Sequence, residues 1–461
     1  MTRHRSTHVA VPTTHLRSAR SNDLKDVVAW SIRAILASVA VVLVGLWLKG
    51  GGVTGVHDEA GFLTSLGRLT GLFGAYLLLI QVLLMARLPF MEWVAGFGRL
   101  AAWHRLNGKL SLLLILAHVG TITLGYALTD RISIQAEAVT LLTQYPGMPA
   151  ALAGTMMLIL VVVTSLVIVR RRLRYETWFL VHFMSYLAIF LAWFHQIPTG
   201  TVFVSSPLAI AFWTALYVAT LQFVLLFRVG QPIVSSLWHR LRVAEVIQEG
   251  PGVVSLRITG RRLEWLNAQA GQFFQWRFLD RERWAESHPF SLSAAPDGRS
   301  FRITIKDLGD FSSRIGKIKP GTPVIAEGPF GAFTDEARTR EASVLIAAGI
   351  GITPIRALLE KMRGDIVLVY RASTPTDLIF RDELEQLARL RGATLRYVIG
   401  SRKQLGTLSL FSRDHLRRLV PDLATREMYI CGPRAMMRTV KRNAQHLGVP
   451  PTCIHVDDFA Y

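Results

Sequence analysis

The sequence predicts an α-helical membrane bundle of six transmembrane helices, followed by an antiparallel β-barrel and an α/β domain built on a parallel sheet. Three observations carry this. Six apolar runs in the first half are each long enough to span a bilayer. Short alternating runs separated by turn residues begin near residue 232. Strand and helix patterns then alternate to the end of the chain. Hydrophobic residues make up 51% of the 461 positions, concentrated in the first half, which is too apolar for a wholly soluble chain.

In chain order, residues 1–26 come first. They are basic (Arg3, Arg5, Arg17, Arg20, Lys25) and lack a core-forming pattern, so a disordered tail is expected. The apolar run after them is too long for a signal-peptide h-region, so cleavage is not expected. The six spans lie near 27–48, 66–85, 101–128, 150–169, 175–196 and 207–227. Arg170, Arg171, Arg172 and Arg174 crowd the turn after the fourth span, and Arg87, Arg99 and Arg105 flank the turn after the second. The alternate loops hold few cations, so the positive-inside rule places both termini, and the whole second half, in the cytoplasm. A cell-membrane, multi-pass protein is expected.

Four histidines stand in these spans as two pairs, His104 with His118 in the third and His182 with His195 in the fifth. The spacings are 118 − 104 = 14 and 195 − 182 = 13 residues, or roughly 20 Å along each helix. Two facing helices built this way suit two stacked haems, each ligated by one histidine from each helix. On that orientation His104 and His182 are the inner pair, His118 and His195 the outer. Fourteen residues return nearly to the same helix face, whereas thirteen leave about 140° between the rings. Either a local distortion of the fifth span or a compensating ring orientation is expected, with Pro198 near its disturbed end.

The formal net charge is +20, but the arginines are scattered, so anionic lipid rather than nucleic acid is the expected partner. Only Cys431 and Cys453 exist, too few for an iron–sulfur cluster.

In the second half, His288-Pro289-Phe290-Ser291-Leu292-Ser293 reads as a strand end offering hydroxyls and an aromatic ring to a flavin. Lys306 and Gly309-Asp310-Phe311-Ser312 offer backbone amides and a cation to a pyrophosphate. Further on, Gly349-Ile350-Gly351-Ile352-Thr353-Pro354 follows a buried run and opens a helix, where glycines and a helix N-terminus suit a phosphate. Cys431-Gly432-Pro433 ends a later strand, at the edge where ligands bind in open α/β sheets.

Taken in this order, the histidine pairs and these four motifs resemble the NADPH oxidase and ferric reductase superfamily. The resemblance covers nearly everything after the N-terminal tail. It implies a haem domain over 27–229, a ferredoxin-reductase-type FAD barrel over 230–337 and a nicotinamide dinucleotide domain over 338–461. It further implies Ser291 near the flavin N5, Ser293 in the same strand, Lys306 with Gly309 to Ser312 at the pyrophosphate, and Gly349, Gly351, Thr353 and Pro354 at the nicotinamide nucleotide. Cys431, with Gly432 and Pro433, matches the segment near the hydride-donating carbon. Phe459 matches the aromatic that shields the flavin, with Tyr461 as its rival, and Arg68 an arginine near the outer haem. Arg371 and Ser401-Arg402 favour NADPH over NADH, because Arg suits a 2′-phosphate. A histidine associated with oxygen reduction is replaced by Ile122. The acceptor is therefore open between dioxygen, a ferric or cupric chelate and a periplasmic redox protein. A membrane-anchored flavin reductase, and a non-enzymatic haem sensor or proton channel, remain alternatives.

Overall fold

The structure, a computed structural model, describes residues 13–170, 172–173, 175–204, 206–284, 286–400 and 411–457. It divides into two compact units, Met1–Arg228 and Val229–Tyr461.

Among its described residues the first unit has helices and no strands. Its helices are α1 (Thr13–Lys49), α2 (Glu59–Leu84), α3 (Pro89–Ala95), α4 (Phe97–Asp130) and α5 (Ile134–Gln144). They continue as α6 (Met148–Ser165), α7 (Val167–Arg170), α8 (Tyr175–Thr199), α9 (Thr201–Val204) and α10 (Pro207–Phe223). Among the described residues six helices are long and apolar enough to cross a membrane, and the six predicted runs fall on them. Two details differ from expectation. The N-terminal segment is helical from Thr13, because a long apolar helix is already nucleated and extends into it at little cost. The loop after α4 holds the short helix α5, which Ser133 caps by accepting from the Ala136 amide.

Small residues set the helix spacing. On α2, a Cβ at Gly67 would stand 2.7 Å from Ile122 Cγ1, and one at Gly71 2.7 Å from His118 Nδ1. A Cβ at Gly154 on α6 would stand 2.7 Å from the Ala188 carbonyl oxygen of α8. Glycine thus brings α2 against α4 and α6 against α8, as membrane helices do where packing rather than water expulsion drives association. Many large apolar side chains, such as Leu106 and Leu180, point outward.

A π-helical turn, Val224–Gly230, links α10 to α11 (Gln231–His239), which opens the second unit. Six strands follow: β1 (Arg242–Gly250), β2 (Val253–Thr259), β3 (Phe273–Phe278), β4 (His288–Ser291), β5 (Ser300–Lys306) and β6 (Val324–Phe330). They form two antiparallel three-stranded sheets, β1-β2-β5 and β4-β3-β6. Bridges at Arg242↔Pro323 and Leu292↔Ile303 join the sheet edges, closing a barrel around Phe274, Trp276, Phe278, Phe301 and Leu292. The short helix α12 (Asp310–Arg314) lies between β5 and β6.

The remaining strands are β7 (Ser343–Ala348), β8 (Ile366–Ala372), β9 (Thr394–Ile399), β10 (Glu427–Cys431) and β11 (Ile454–Asp457). They make one parallel sheet in the order β11-β10-β7-β8-β9. The helices α13 (Ile352–Lys361), α14 (Arg381–Arg391), α15 (Arg413–Leu419) and α16 (Arg434–His446) connect it. β7, buried along its whole length, is a continuous apolar run because both its faces are covered. Strand order reverses between β7 and β10, which is where a crevice forms in such sheets.

Candidate functional sites

Each histidine of α4 faces one of α8. The ring centroids of His104 and His182 are 6.0 Å apart, and those of His118 and His195 are 6.4 Å apart. Two imidazoles on opposite sides of one metal, each bound at about 2 Å, put their ring centres roughly 6 Å apart. Both pairs therefore have the spacing that two imidazoles sharing one metal ion would need. α8 is unbroken through Thr199, with Pro198 inside its last turn. A break at the end of the fifth span is therefore not found: the helix is continuous and both pairs still face each other.

The backbone fixes which nitrogen is free. His104 Nδ1 lies 3.1 Å from the Gln81 carbonyl oxygen, and His118 Nδ1 lies 2.8 Å from that of Gly67. A ring that donates from Nδ1 to a carbonyl presents Nε2 as ligand, the usual arrangement around metal-bound histidine. His182 Nδ1 sits 3.3 Å from Ser165 Oγ, and its ring stacks on Trp178 at 5.0 Å. His195 Nδ1 is buried without a hydrogen-bond partner.

Among the described residues, no group of three or more His, Cys, Asp or Glu could hold a metal ion. Each level thus brings two imidazoles together and no third such donor among the described residues, a donor set that would fit a haem iron. An apolar groove of about 430 Å³ is lined by Leu69, Thr70, Phe73 and Leu77 of α2 with Leu110 and Leu114 of α4, which lie between His104 and His118 in sequence.

Residues not singled out in the sequence complete this site. Gln81 Nε2 donates to the His104 carbonyl at 2.9 Å, and its Oε1 accepts from Asn107 Nδ2 at 2.9 Å. Gln196, next to His195, accepts from Trp213 Nε1 at 2.8 Å and from the Tyr217 hydroxyl at 3.1 Å. Polar residues inside apolar spans were the available signal. Arg68 is half-buried, and its Nε is buried without a partner.

In the barrel, β4 carries His288, Pro289, Phe290 and Ser291 beside β3. Ser291 Oγ is buried with no hydrogen-bond partner. Such an orphan costs about 1–3 kcal/mol, so a bound group that engages it is strongly favoured. The His288 ring stacks on Phe311 at 3.8 Å, with Nε2 3.3 Å from Glu286 Oε2. Burial lowers the His288 pKa despite the raising effect of Glu286, so the ring is neutral near pH 7. Phe311 itself is buried in the barrel core and holds His288 and Phe290 in place. Ser293, fully buried, accepts from Thr304 Oγ1 at 2.7 Å and from Arg302 Nε at 3.2 Å. Its hydroxyl is engaged inside the barrel. Ser312 Oγ accepts from the Leu308 and Gly309 amides at 2.8 and 3.0 Å, closing the loop after Lys306 on itself.

At the sheet crevice the structure brings two motifs together. A Cβ at Gly351 would stand 2.5 Å from the Cys431 carbonyl oxygen, so only glycine lets the turn after β7 lie on the end of β10. Gly349, at φ +54°, has open space where a side chain would be. Thr353 Oγ1 donates to the Ile350 carbonyl at 3.0 Å, fixing the turn into α13, which Pro354 enters in its first turn. Cys431 is fully buried, Gly432 follows at φ +153°, and Pro433 caps α16. At the end of β8, Arg371 donates to the Gly400 carbonyl at 3.0 Å and to Ser373 Oγ at 3.1 Å. Ser401, Arg402, Phe459 and Tyr461 lie outside the described residues, as do Arg171 and Arg174.

Comparison with known proteins gives two matches to protein families. Residues 70–193 match the ferric reductase like transmembrane component, and residues 345–442 the oxidoreductase NAD-binding domain. The chain is 26% identical over 249 residues to the glycine betaine monooxygenase reductase subunit of Chromohalobacter salexigens, covering 50% of this chain and 67% of that protein. It is 29% identical over 189 residues to ferredoxin–NADP reductase B of Sorangium cellulosum, covering 37% and 77%. Among solved structures, the flavohem-like FAD/NAD-binding domain of a nitric oxide dioxygenase from Vibrio cholerae aligns with 48% of this chain and 98% of that one, at 24% identity and a TM-score of 0.38.

Proposed function

A ferric-reductase-like transmembrane component followed by a ferredoxin-reductase-type FAD/NAD-binding region is the domain fusion of the ferric reductase and NADPH oxidase-like superfamily, and from that premise we propose that this multi-pass oxidoreductase carries electrons from cytoplasmic NADPH, through FAD and two b-type haems, to an acceptor at the outer face. The observation that carries the reading is the two pairs of facing imidazoles, at 6.0 and 6.4 Å, with two of the four Nδ1 atoms held by backbone carbonyls.

When bound, the nicotinamide supplies an electron pair, the flavin divides it into single electrons and the haems pass these on. The chain's residues do the positioning. His104 and His182 would hold one haem, His118 and His195 the other. Gln81 and the Gly67 carbonyl fix ring orientation on α4, and Ser165 with Trp178 does so for His182. The orphan Nε of Arg68 suits an anionic edge of the outer haem or an anionic acceptor. Ser291 Oγ, buried without a partner, would donate to the flavin, and Phe290 would pack beside it. Lys306 and the loop from Gly309 to Ser312 would hold the FAD pyrophosphate. Gly349, Gly351, Thr353 and the N-terminus of α13 would receive the nicotinamide nucleotide's phosphates, and Cys431-Gly432-Pro433 would line the nicotinamide end. By the family resemblance, Arg371, Ser401 and Arg402 would select NADPH over NADH, and Phe459 or Tyr461 would cover the flavin.

The acceptor is a small oxidant, dioxygen or a ferric or cupric chelate, with a periplasmic redox protein as the second reading. The test is NADPH-driven cytochrome c reduction by the haem-loaded protein, with and without superoxide dismutase. Loss of signal with dismutase assigns dioxygen; a persistent signal assigns direct reduction of a metal centre. A purified chain that takes up no haem overturns the whole reading.

A further inference from the structure

The helix α11 is amphipathic the wrong way round for water. Its inward face, packed on the barrel, carries Pro232, Ser235, Ser236 and His239, while Ile233, Val234, Leu237 and Trp238 point outward. Val234 is 65% and Leu237 71% exposed. A soluble helix buries its apolar stripe, so this outward stripe needs an apolar neighbour.

The stripe continues onto the barrel. Trp238 and Trp265, both more than half exposed, stack at 6.3 Å and 26°, with the Arg262 guanidinium 5.4 and 4.7 Å from their ring centres. The arrangement is rigid. The Arg261 amide donates to the His239 carbonyl at 2.6 Å, and His239 Nδ1 lies 2.8 Å from the Arg261 carbonyl. A Cβ at Gly260 would stand 2.7 Å from that same His239 oxygen, so glycine permits the approach. Arg240, Arg261 and Arg262 are exposed, and none has a carboxylate within ion-pair distance among the described residues.

We infer that this patch is a lipid-facing surface, by which the barrel rests in the headgroup–acyl boundary of a phospholipid leaflet. Two arguments select that occupant. The apolar helix that began at Pro207 runs on to His239, 33 residues, whereas about 20 span the hydrocarbon core. α11 is therefore the part that emerges, at headgroup depth. Tryptophan and arginine are also the side chains that settle there, with the indole at the boundary and the guanidinium on the phosphates.

The test uses nitroxide labels on the full chain in phospholipid nanodiscs. Both native cysteines are buried, so Val234→Cys and Leu237→Cys label singly, and Leu390→Cys, on the exposed side of α14, is the aqueous control. Labels at 234 and 237 are expected to relax several-fold more with oxygen than with a water-soluble nickel chelate, and the label at 390 the reverse. Labels at 234 and 237 as open to nickel as that at 390 overturn the inference. So do labels shielded from both reagents, which would mean that protein covers the patch. The readout needs no turnover, so it stands or falls apart from the proposed electron path.

Discussion

A Cβ on Gly71 would stand 2.7 Å from His118 Nδ1, so a hydrogen atom on one residue sets where the His118 ring lies on another helix. Gly71→Val is expected to cost about 1–3 kcal/mol by overpacking and to lower bound haem toward one per chain, read by pyridine haemochrome titration. His118→Ala should abolish reduction of an impermeant outside acceptor while flavin reduction by NADPH continues, which stopped-flow absorbance at the flavin band separates. Ser291→Ala should keep FAD and slow flavin reduction about tenfold or more, since an orphan hydroxyl engaged by a ligand contributes through that bond alone. At this scale the histidines were legible because ionisable groups in apolar spans are conspicuous. Their supports were not. The Gly67 carbonyl is a backbone group of another helix, and Gln81 meets His104 across 23 positions.

Between elements, a charged network ties the barrel to the parallel-sheet domain within the second unit. Arg302 of β5 donates to Glu383 of α14 at 3.1 Å, Arg356 of α13 pairs with both Glu383 and Glu360, and Glu360 accepts from the Ala295 amide. Glu383→Ala leaves two guanidiniums short of a partner. It is expected to lower the second unit's stability by about 1–3 kcal/mol in urea denaturation, less than for a sealed pair because Glu383 is partly exposed. Elsewhere, the fully buried Glu427 of β10 accepts from His455 of β11 at 2.6 Å and from Thr339. Burial alone would raise its pKa, but these bonds bring it below the ordinary 4.5. A depressed carboxylate stabilises the fold above its unfolded pKa, and that contribution fades as pH falls from 4.5 through the lower folded value. Glu427→Gln should flatten the acid limb of stability against pH, measured by thermal melts. The strands themselves were legible from their apolar runs. These ties were not, since single charged residues far apart in sequence carry no periodic signal. The helix at α5 was missed for a related reason: eleven residues without a long apolar run read as loop.

For the molecule as a whole, the architecture was legible because membrane spans, alternating strands and a β/α pattern have distinct periods. The barrel's closure was not, because it rests on two isolated bridges. Proteoliposomes that reduce an enclosed acceptor with external NADPH should slow as charge builds up and speed up several-fold on adding valinomycin with potassium. Equal rates with and without the ionophore would mean that a proton accompanies each electron.

The two histidine levels have an electrical meaning. Fourteen residues of helix separate them, roughly 21 Å, or about two-thirds of the hydrocarbon thickness. On the proposed orientation, an electron moving from the inner level to the outer falls through most of the resting voltage. A cell interior 100 mV negative then assists each step by about 1.5 kcal/mol. Each electron that leaves also discharges the membrane slightly, so the histidine ladder acts as a leak as well as a wire.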